Sequence, residues 1–177
     1  IYQCDWSSDV CSSDLMPGTA GGCFMTGGSI SNLSALAVAR ESAGERRAVA
    51  VGDTAHASID VALRLLDRRD VVVVDTGVSG RLTGDALRMA IGHRRDVGIV
   101  VAAAGSTNAG VVDDLAGIAD VAAETGAWLH VDGAYGLAAM AVPEMRPLFV
   151  GVERADSLIV DPHKWLFAPE GSGAVLY

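Results

Sequence analysis

Solidly apolar runs alternate along this sequence with segments that carry apolar residues at helical spacing. VVVV at 71–74 and SLIV at 157–160 do not alternate with polar residues, which is typical of strands covered on both faces. HASIDVALRLLDRR and TGDALRMAIGHRR have helical periodicity, and Thr83 stands where the second segment should have its N-cap. Strands that alternate with helices predict an α/β fold, with a mostly parallel sheet and helices on both of its faces.

The composition limits the class of protein. The chain has 177 residues, half of them apolar, and a formal net charge of −9. That size suits one α/β domain or a part of a larger one, and the acidic balance argues against nucleic acid as a partner. No apolar run reaches the roughly 18–20 residues of a membrane-spanning helix, and no signal peptide is visible. We therefore expect a cytoplasmic protein without a membrane partner.

The first fifteen residues, IYQCDWSSDVCSSDL, fit neither helical nor strand periodicity. They match the translation of a common sequencing-adapter oligonucleotide, so we expect residues 1–15 to be an artefact and the domain to occupy residues 16–177. Cys4 and Cys11 fall inside the artefact, which leaves Cys23. One cysteine predicts neither a disulfide framework nor a cysteine-based metal site, and we expect no metal.

Polar or glycine-rich clusters follow the predicted strands. In a parallel sheet the ligand binds beyond the carboxyl ends of the strands, so these clusters should meet at one edge. The turn TGGS, which precedes the first full helix, should lie at that edge as well. The clusters that follow strands contribute His56, Thr107, Asp132, Asp161, His163 and Lys164.

Taken one at a time, these features have structural as well as chemical explanations. TGGS can bind phosphate at a helix N-terminus, yet it is also an ordinary N-cap, and it is neither a dinucleotide fingerprint nor a P-loop. Asp132 ends a buried strand, where a carboxylate either caps a backbone N–H or partners a cationic ligand atom. His56 alone is most simply a residue at the start of a helix.

The combination is more specific than its parts. A phosphate site, an acid for a ring nitrogen and a lysine for an aldehyde together describe a site for pyridoxal 5'-phosphate. The apolar strand before Lys164 and the neighbouring Trp165 predict a partly desolvated amine, because burial disfavours the ammonium form.

Five segments resemble, in order, the signature segments of the group II pyridoxal-phosphate-dependent amino acid decarboxylases, a family within the fold-type I superfamily. They are MTGGSISNLSALAVAR, GDTAHASIDVA, VAAAGSTNAGVVDDL, WLHVDGAYG and ADSLIVDPHKWLFAP, and the resemblance covers essentially all of residues 16–177. It implies the pyridoxal-phosphate-binding large domain of that fold. It also implies carboxy-lyase activity on an L-amino acid, with the aromatic branch favoured.

The resemblance implies a role for each matching residue. Lys164 matches the lysine that forms the Schiff base, and Asp132 matches the aspartate that bonds the pyridine nitrogen. Ala134 and His56 match the residues on the two faces of the ring. Gly28 and Ser29 match the phosphate turn, and Thr107 matches a residue near the substrate carboxylate. His163 matches a residue that contacts the phosphate or relays a proton. Asp161 matches a phosphate contact, at a position where several relatives have asparagine.

Two alternatives remain open from the sequence. EGSGAVLY, which follows HKWLFAP, is closer to the same stretch of other fold-type I enzymes, so a carbon–carbon lyase, a cysteine desulfurase or an aminotransferase is the other possible reaction. The resemblance also implies that residues 16–177 are a partial large domain, without an N-terminal segment, the end of the large domain and a small C-terminal domain. Such a fragment would be inactive alone, whereas the full-length protein would be a homodimer that acts on an amino acid.

Overall fold

Seven strands form one sheet in the computed structural model, which describes residues 20–177. They are β1 (Gly22–Thr26), β2 (Ala48–Gly52), β3 (Val71–Val74), β4 (Val97–Ala103), β5 (Trp128–Asp132), β6 (Ser157–Val160) and β7 (Ser172–Leu176). Their order across the sheet is β1-β7-β6-β5-β4-β2-β3. The pairs from β3 to β6 are parallel, whereas β7 runs antiparallel to both β6 and β1.

Helices connect most of these strands. They are α1 (Gly27–Ala43), α2 (Ala57–Leu65), α3 (Gly84–Ile91), α4 (Leu115–Thr125) and α5 (Pro162–Trp165), with short 3-10 helices at Leu137–Ala141, Pro143–Phe149 and Val152–Arg154. Thr83 caps α3 as predicted, since its hydroxyl accepts a hydrogen bond from the Ala86 N–H at 3.1 Å. Within the described residues, no helix is both long and apolar enough to cross a membrane.

Alternate residues of a central strand enter different hydrophobic cores. In β2, Val49 and Val51 belong to the core formed with α1 and α2, whereas Ala48 and Ala50 belong to the core formed with α3 and α4. All four side chains are buried, because successive residues of a strand point to opposite faces and both faces are covered here. The predicted α/β fold, with a mostly parallel sheet between two layers of helices, is confirmed.

Three details differ from the prediction or go beyond it. The run VVVV was expected to be buried, but it forms the edge strand β3 and Val73 is 62% exposed, because β3 pairs with β2 alone. Strand β1 was not predicted; it reaches the sheet through its antiparallel pairing with β7. The expected boundary between an artefact and the domain at residues 15 and 16 lies outside the described residues.

Candidate active site

One pocket of about 340 Å³ lies where the segments after β2, β4, β5 and β6 meet the start of α1. Its volume falls within the usual range for small-molecule sites. Its position agrees with the expectation that the carboxyl ends of the parallel strands carry the chemistry. Every residue predicted for the site lines this pocket: Gly28, Ser29, His56, Thr107, Asp132, Ala134, Asp161, His163 and Lys164. Their individual roles remain predictions.

The N-terminus of α1 supplies one side of the pocket. Gly27 begins the helix with φ of 76°, in the left-handed region that favours glycine. Thr26 makes no side-chain capping hydrogen bond, and the first turn contains no acidic residue. The first N–H groups of the helix, which have no intrahelical acceptor, can therefore bind an anion. A Cβ on Gly28 would lie 2.6 Å from Oδ2 of Asp161, so the helix and this carboxylate approach closely only because the residue is glycine.

Lys164 pairs with a buried carboxylate. Its Nζ lies 3.0 Å from Oδ2 of Asp161, whose side chain is 2% exposed. The other oxygen of Asp161, Oδ1, has no hydrogen-bond partner among the described residues. A ligand that carries a hydrogen-bond donor can therefore bind to this oxygen. The Lys164 side chain is exposed, at 37%, so the prediction of a partly desolvated amine is wrong for these residues. The sequence did not predict this ion pair between Lys164 and Asp161.

Asp132 is held by two donors where β5 ends. Its Oδ1 accepts a hydrogen bond from the Ala134 N–H at 3.1 Å, and its Oδ2 accepts one from Nδ2 of Asn32 at 3.0 Å. Each carboxylate oxygen has a second lone pair, so the group can still accept from a protonated ring nitrogen. The structural and the chemical explanations of this residue are therefore compatible.

The two histidines of the pocket differ in which ring nitrogen carries the hydrogen. Nδ1 of His56 accepts a hydrogen bond from the Ser58 N–H at 3.2 Å, so Nε2 carries the hydrogen in the neutral ring. Nδ1 of His163 lies 2.7 Å from the carbonyl oxygen of Ser172. Since a carbonyl only accepts, this Nδ1 carries the hydrogen, and in the neutral ring Nε2 of His163 is an acceptor. The pocket thus has one histidine that can donate through Nε2 and one that can accept through Nε2.

The remaining predicted residue, Thr107, lies on an exposed turn after β4. This turn is tied back by Ser106, whose hydroxyl accepts a hydrogen bond from the Val111 N–H at 3.2 Å. On another part of the rim, Tyr135 meets Trp165 edge to face, with ring centroids 5.6 Å apart and planes at 74°. Tyr135 lines the pocket, so this residue of the pair gives it an aromatic surface.

A buried polar layer beside Asp132 was missed by sequence reasoning. Nε2 of His130 lies 2.9 Å from Oδ1 of Asn32, and Nδ1 of His130 lies 2.9 Å from the hydroxyl of Ser157. Asn32 is 1% exposed and the other two are fully buried. Burial lowers the pKa of His130 from 6.5 to about 4, which keeps its ring neutral at pH 7.

The sequence did contain signals for this layer. His130 stands two residues before Asp132 on a strand, and residues two apart on a strand share a face. Asn32 follows Gly28 by four residues, which places both on the same face of α1. Each signal becomes informative only when α1 and β5 are known to be packed together.

The residues present fit pyridoxal phosphate. The uncapped N-terminus of α1 suits its phosphate, Asp132 suits its ring nitrogen, and Lys164 supplies an amine for its aldehyde. The unpartnered Oδ1 of Asp161 needs a hydrogen-bond donor, which a singly ionised phosphate ester possesses. Lys164 is moreover the only lysine among the 177 residues, so no other side chain of this chain could form a Schiff base.

Comparisons with known proteins point to one family. Residues 5–177 match the family model described as the pyridoxal-dependent decarboxylase conserved domain. The chain is 39% identical over 170 residues to an aromatic-L-amino-acid decarboxylase of Bacillus atrophaeus, an alignment that covers 90% of this chain and 35% of the relative. It is 35% identical to an L-2,4-diaminobutyrate decarboxylase of Rhizobium meliloti, which covers 91% of this chain and 34% of that relative.

A solved structure agrees with both the fold and the cofactor. The structure of Oryza sativa TDC with PLP superposes with a TM-score of 0.84 at 32% identity, which covers 93% of this chain and 39% of that one. The chain thus spans about a third of the length of the curated relatives it matches. The predicted cofactor and the predicted fold-type I class are those of these relatives. On the match of nearly its whole length, the chain belongs to the pyridoxal-dependent decarboxylase family.

Proposed function

We propose that this protein decarboxylates an L-amino acid, of the aromatic class, to the amine and carbon dioxide with pyridoxal phosphate bound through Lys164. The observation that carries the proposal is the convergence of three parts on one pocket. They are the only lysine of the chain, the doubly hydrogen-bonded Asp132 and the uncapped N-terminus of α1.

When bound, pyridoxal phosphate supplies an aldehyde that captures amines and a ring that accepts the electron pair left behind when a carboxylate departs. The N-terminus of α1 binds the phosphate through its free N–H groups. Asp132 holds a proton on the ring nitrogen, and Asn32 and Ala134 fix the direction of that carboxylate. His56 and Ala134 would hold the ring between them, as their match to the family implies.

The remaining residues handle protons and substrate. Lys164 would hold the cofactor through its amine. The neutral ring of His163 has an acceptor at Nε2, so it can accept a proton from a neighbouring group and return it. Thr107 offers a hydroxyl to the substrate carboxylate. Asp161 would contact the phosphate through Oδ1 when a phosphate oxygen carries a hydrogen.

The aromatic substrate class has two supports. The B. atrophaeus relative is an aromatic-L-amino-acid decarboxylase by name, and it is more similar than the diaminobutyrate enzyme. In addition, Tyr135 lines the pocket, and its ring contacts that of Trp165. Another fold-type I reaction, that of a carbon–carbon lyase, cysteine desulfurase or aminotransferase, is the competing proposal. Release of carbon dioxide by the complete gene product, from a panel of aromatic and acidic amino acids, separates the two.

The proposed attachment can be tested directly. We expect protein that is incubated with pyridoxal phosphate and reduced with borohydride to carry the label on the peptide that contains Lys164. Lys164→Arg is the matched variant, because it keeps a cation beside Asp161 but cannot form a Schiff base. A label on the terminal amine alone, or no label, would contradict the proposal.

We also propose that the full-length protein is a homodimer, as the resemblance implies. Several large apolar side chains are exposed in this chain, among them Phe167, which is 96% exposed. Exposed apolar surface of this kind is typical of association sites. Light scattering coupled to size-exclusion chromatography of the complete gene product should give the mass of two chains.

A further inference from the structure

The amide of Asn32 has one allowed orientation. One of its side-chain atoms lies 3.0 Å from Oδ2 of Asp132 and also 3.0 Å from the hydroxyl of Ser58, and the other lies 2.9 Å from Nε2 of His130. The carboxylate of Asp132 can only accept a hydrogen bond, so the atom that faces it must be the NH₂ group. The two N–H bonds of Asn32 therefore go to Asp132 and Ser58, and its oxygen faces His130.

The orientation of Asn32 sets the direction of the hydrogen bonds on one side of it. Its oxygen accepts, so Nε2 of His130 must donate. The buried ring is neutral, hence Nδ1 of His130 accepts from the hydroxyl of Ser157, which lies 2.9 Å away. The same hydroxyl accepts the N–H of the Trp128 indole at 2.9 Å. All the bonds on this side run one way, from Trp128 to Asn32.

The orientation of Asn32 sets the direction on the other side as well. Its second N–H donates to the hydroxyl of Ser58, whose own hydrogen is then free to donate to Nδ1 of His56 at 2.8 Å. The backbone N–H of Ser58 reaches the same nitrogen at 3.2 Å. Two donors therefore face Nδ1 of His56, which must accept, so in the neutral ring the hydrogen is on Nε2.

We propose that Asn32 is a positioning residue that joins these two sides. It aims the carboxylate of Asp132, and through the Ser58 hydroxyl it reinforces the His56 tautomer with hydrogen on Nε2, which the backbone N–H of Ser58 already favours. The pocket then presents an N–H donor at His56, which suits an anionic oxygen such as that of a substrate carboxylate. This inference rests on the proposed function for its meaning in catalysis, but its geometry is a property of the chain itself.

Nuclear magnetic resonance of protein labelled with ¹⁵N-histidine tests the inference without the cofactor. Long-range ¹H–¹⁵N correlations report which ring nitrogen carries the hydrogen, and the sequence has four histidines to assign. Near pH 7.5 we expect hydrogen on Nε2 in His130 and His56, and on Nδ1 in His163. Hydrogen mainly on Nδ1 of His56 in the unmodified protein would overturn the proposal without any variant.

Two variants test the link itself. In Asn32→Asp the new carboxyl and Asp132 share one proton, because two buried carboxylates about 3 Å apart cannot both ionise. The oxygen that replaces Nδ2 no longer donates to Ser58, so the Ser58 hydroxyl can turn to it and His56 keeps the backbone donor alone. In Ser58→Ala the hydroxyl is removed while the bond between Asn32 and Asp132 is kept. We expect both variants to raise the fraction of His56 with hydrogen on Nδ1 severalfold, whereas Asn108→Asp, on an exposed turn, should leave every histidine unchanged.

The results separate this inference from the proposed function. Ser58→Ala should leave the spectrum of His130 as in the unmodified protein, which a general loosening of the structure would not do. An unchanged His56 in a folded Ser58→Ala variant overturns the inference, whatever the borohydride label shows. Failure to label Lys164 overturns the proposed function and leaves the tautomers as measured.

Discussion

Nζ of Lys164 lies 3.0 Å from Oδ2 of Asp161, a carboxylate that is almost fully buried and whose second oxygen has no partner among residues 20–177. The two residues are one helical turn apart, and the short helix α5 begins after Asp161. The amine predicted to hold the cofactor is thus engaged by an ion pair in the same pocket. The pair must open before Lys164 can react with an aldehyde.

Asp161→Asn should speed the capture of pyridoxal phosphate by Lys164. The amide removes the charge that pairs with the Lys164 amine, and a pair with one exposed partner contributes on the order of 1 kcal/mol. We expect a two- to fivefold faster rise of the near-ultraviolet absorbance at pH 7.5. Asp120→Asn is the control, since Asp120 pairs with Arg154 outside the pocket at 2.7 Å. Slower capture than in the unmodified protein would show that Asp161 assists the reaction instead.

Gly28→Ala should weaken binding of the cofactor. The added Cβ would lie 2.6 Å from Oδ2 of Asp161, so either the carboxylate or the start of α1 must move. We expect the dissociation constant of pyridoxal phosphate, measured by equilibrium dialysis, to rise at least about tenfold, or ~1.4 kcal/mol. Gly21→Ala is the matched control, because a Cβ there meets no atom within 4 Å. Equal affinity in both variants would show that α1 does not hold the phosphate.

Asp113→Asn should destabilise the fold. Oδ1 of Asp113 accepts the Leu82 N–H at 2.8 Å, and Oδ2 accepts the Ala103 N–H at 2.7 Å. The side-chain oxygen of asparagine can accept only one of these two hydrogen bonds. Its NH₂ group would face the other backbone N–H, and two donors cannot bond to each other. We expect the free energy of unfolding to fall by about 1–3 kcal/mol, measured by urea denaturation. No change in the denaturation midpoint would contradict this account of the buried carboxylate.

The loss of unfolding free energy caused by Asp113→Asn should depend on pH. Burial raises the pKa of Asp113 from 3.8 to about 6. Between about pH 4 and pH 6 the folded protein therefore binds a proton that the unfolded chain has lost, and this group adds stability as the pH falls. Asparagine cannot titrate, so the difference between the two proteins should be larger at pH 4.5 than at pH 7. His130 has a lowered pKa in the folded state, so its protonation at low pH destabilises the fold of both proteins. This effect is the same in the two proteins and cancels when their free energies of unfolding are compared.

Ser157→Ala should destabilise the protein but leave the pocket in place. It leaves the indole N–H of Trp128 and Nδ1 of His130 without the partner they share. Each unpaired buried polar group costs about 1–3 kcal/mol, so we expect a loss of about 2 kcal/mol or more in urea denaturation. Ser42→Ala, on the exposed face of α1, is the control and should be nearly neutral. A tenfold loss of affinity for pyridoxal phosphate in Ser157→Ala would show that this layer also shapes the cofactor site.

Most of the fold could be predicted because its pattern is local. Periodicity along the chain separates helices from strands, and the fully apolar runs show that the sheet is covered on both faces. The cluster of DPHKW after SLIV likewise places Lys164 at a strand end from sequence alone. The edge position of VVVV could not be seen, because an apolar run does not say how many neighbours its strand has.

The contacts of the site were decided by the tertiary structure. Asn32 and Asp132 lie 100 positions apart, and only the packing of α1 against the sheet brings the amide to the carboxylate. The same packing gives Asn32 one orientation and gives His130 and His56 their tautomers. The sequence alone therefore determined which chemical groups are available and at which edge of the sheet they lie. The tertiary structure decided which of them donate and which accept, because hydrogen-bond direction depends on neighbours that are distant in the chain.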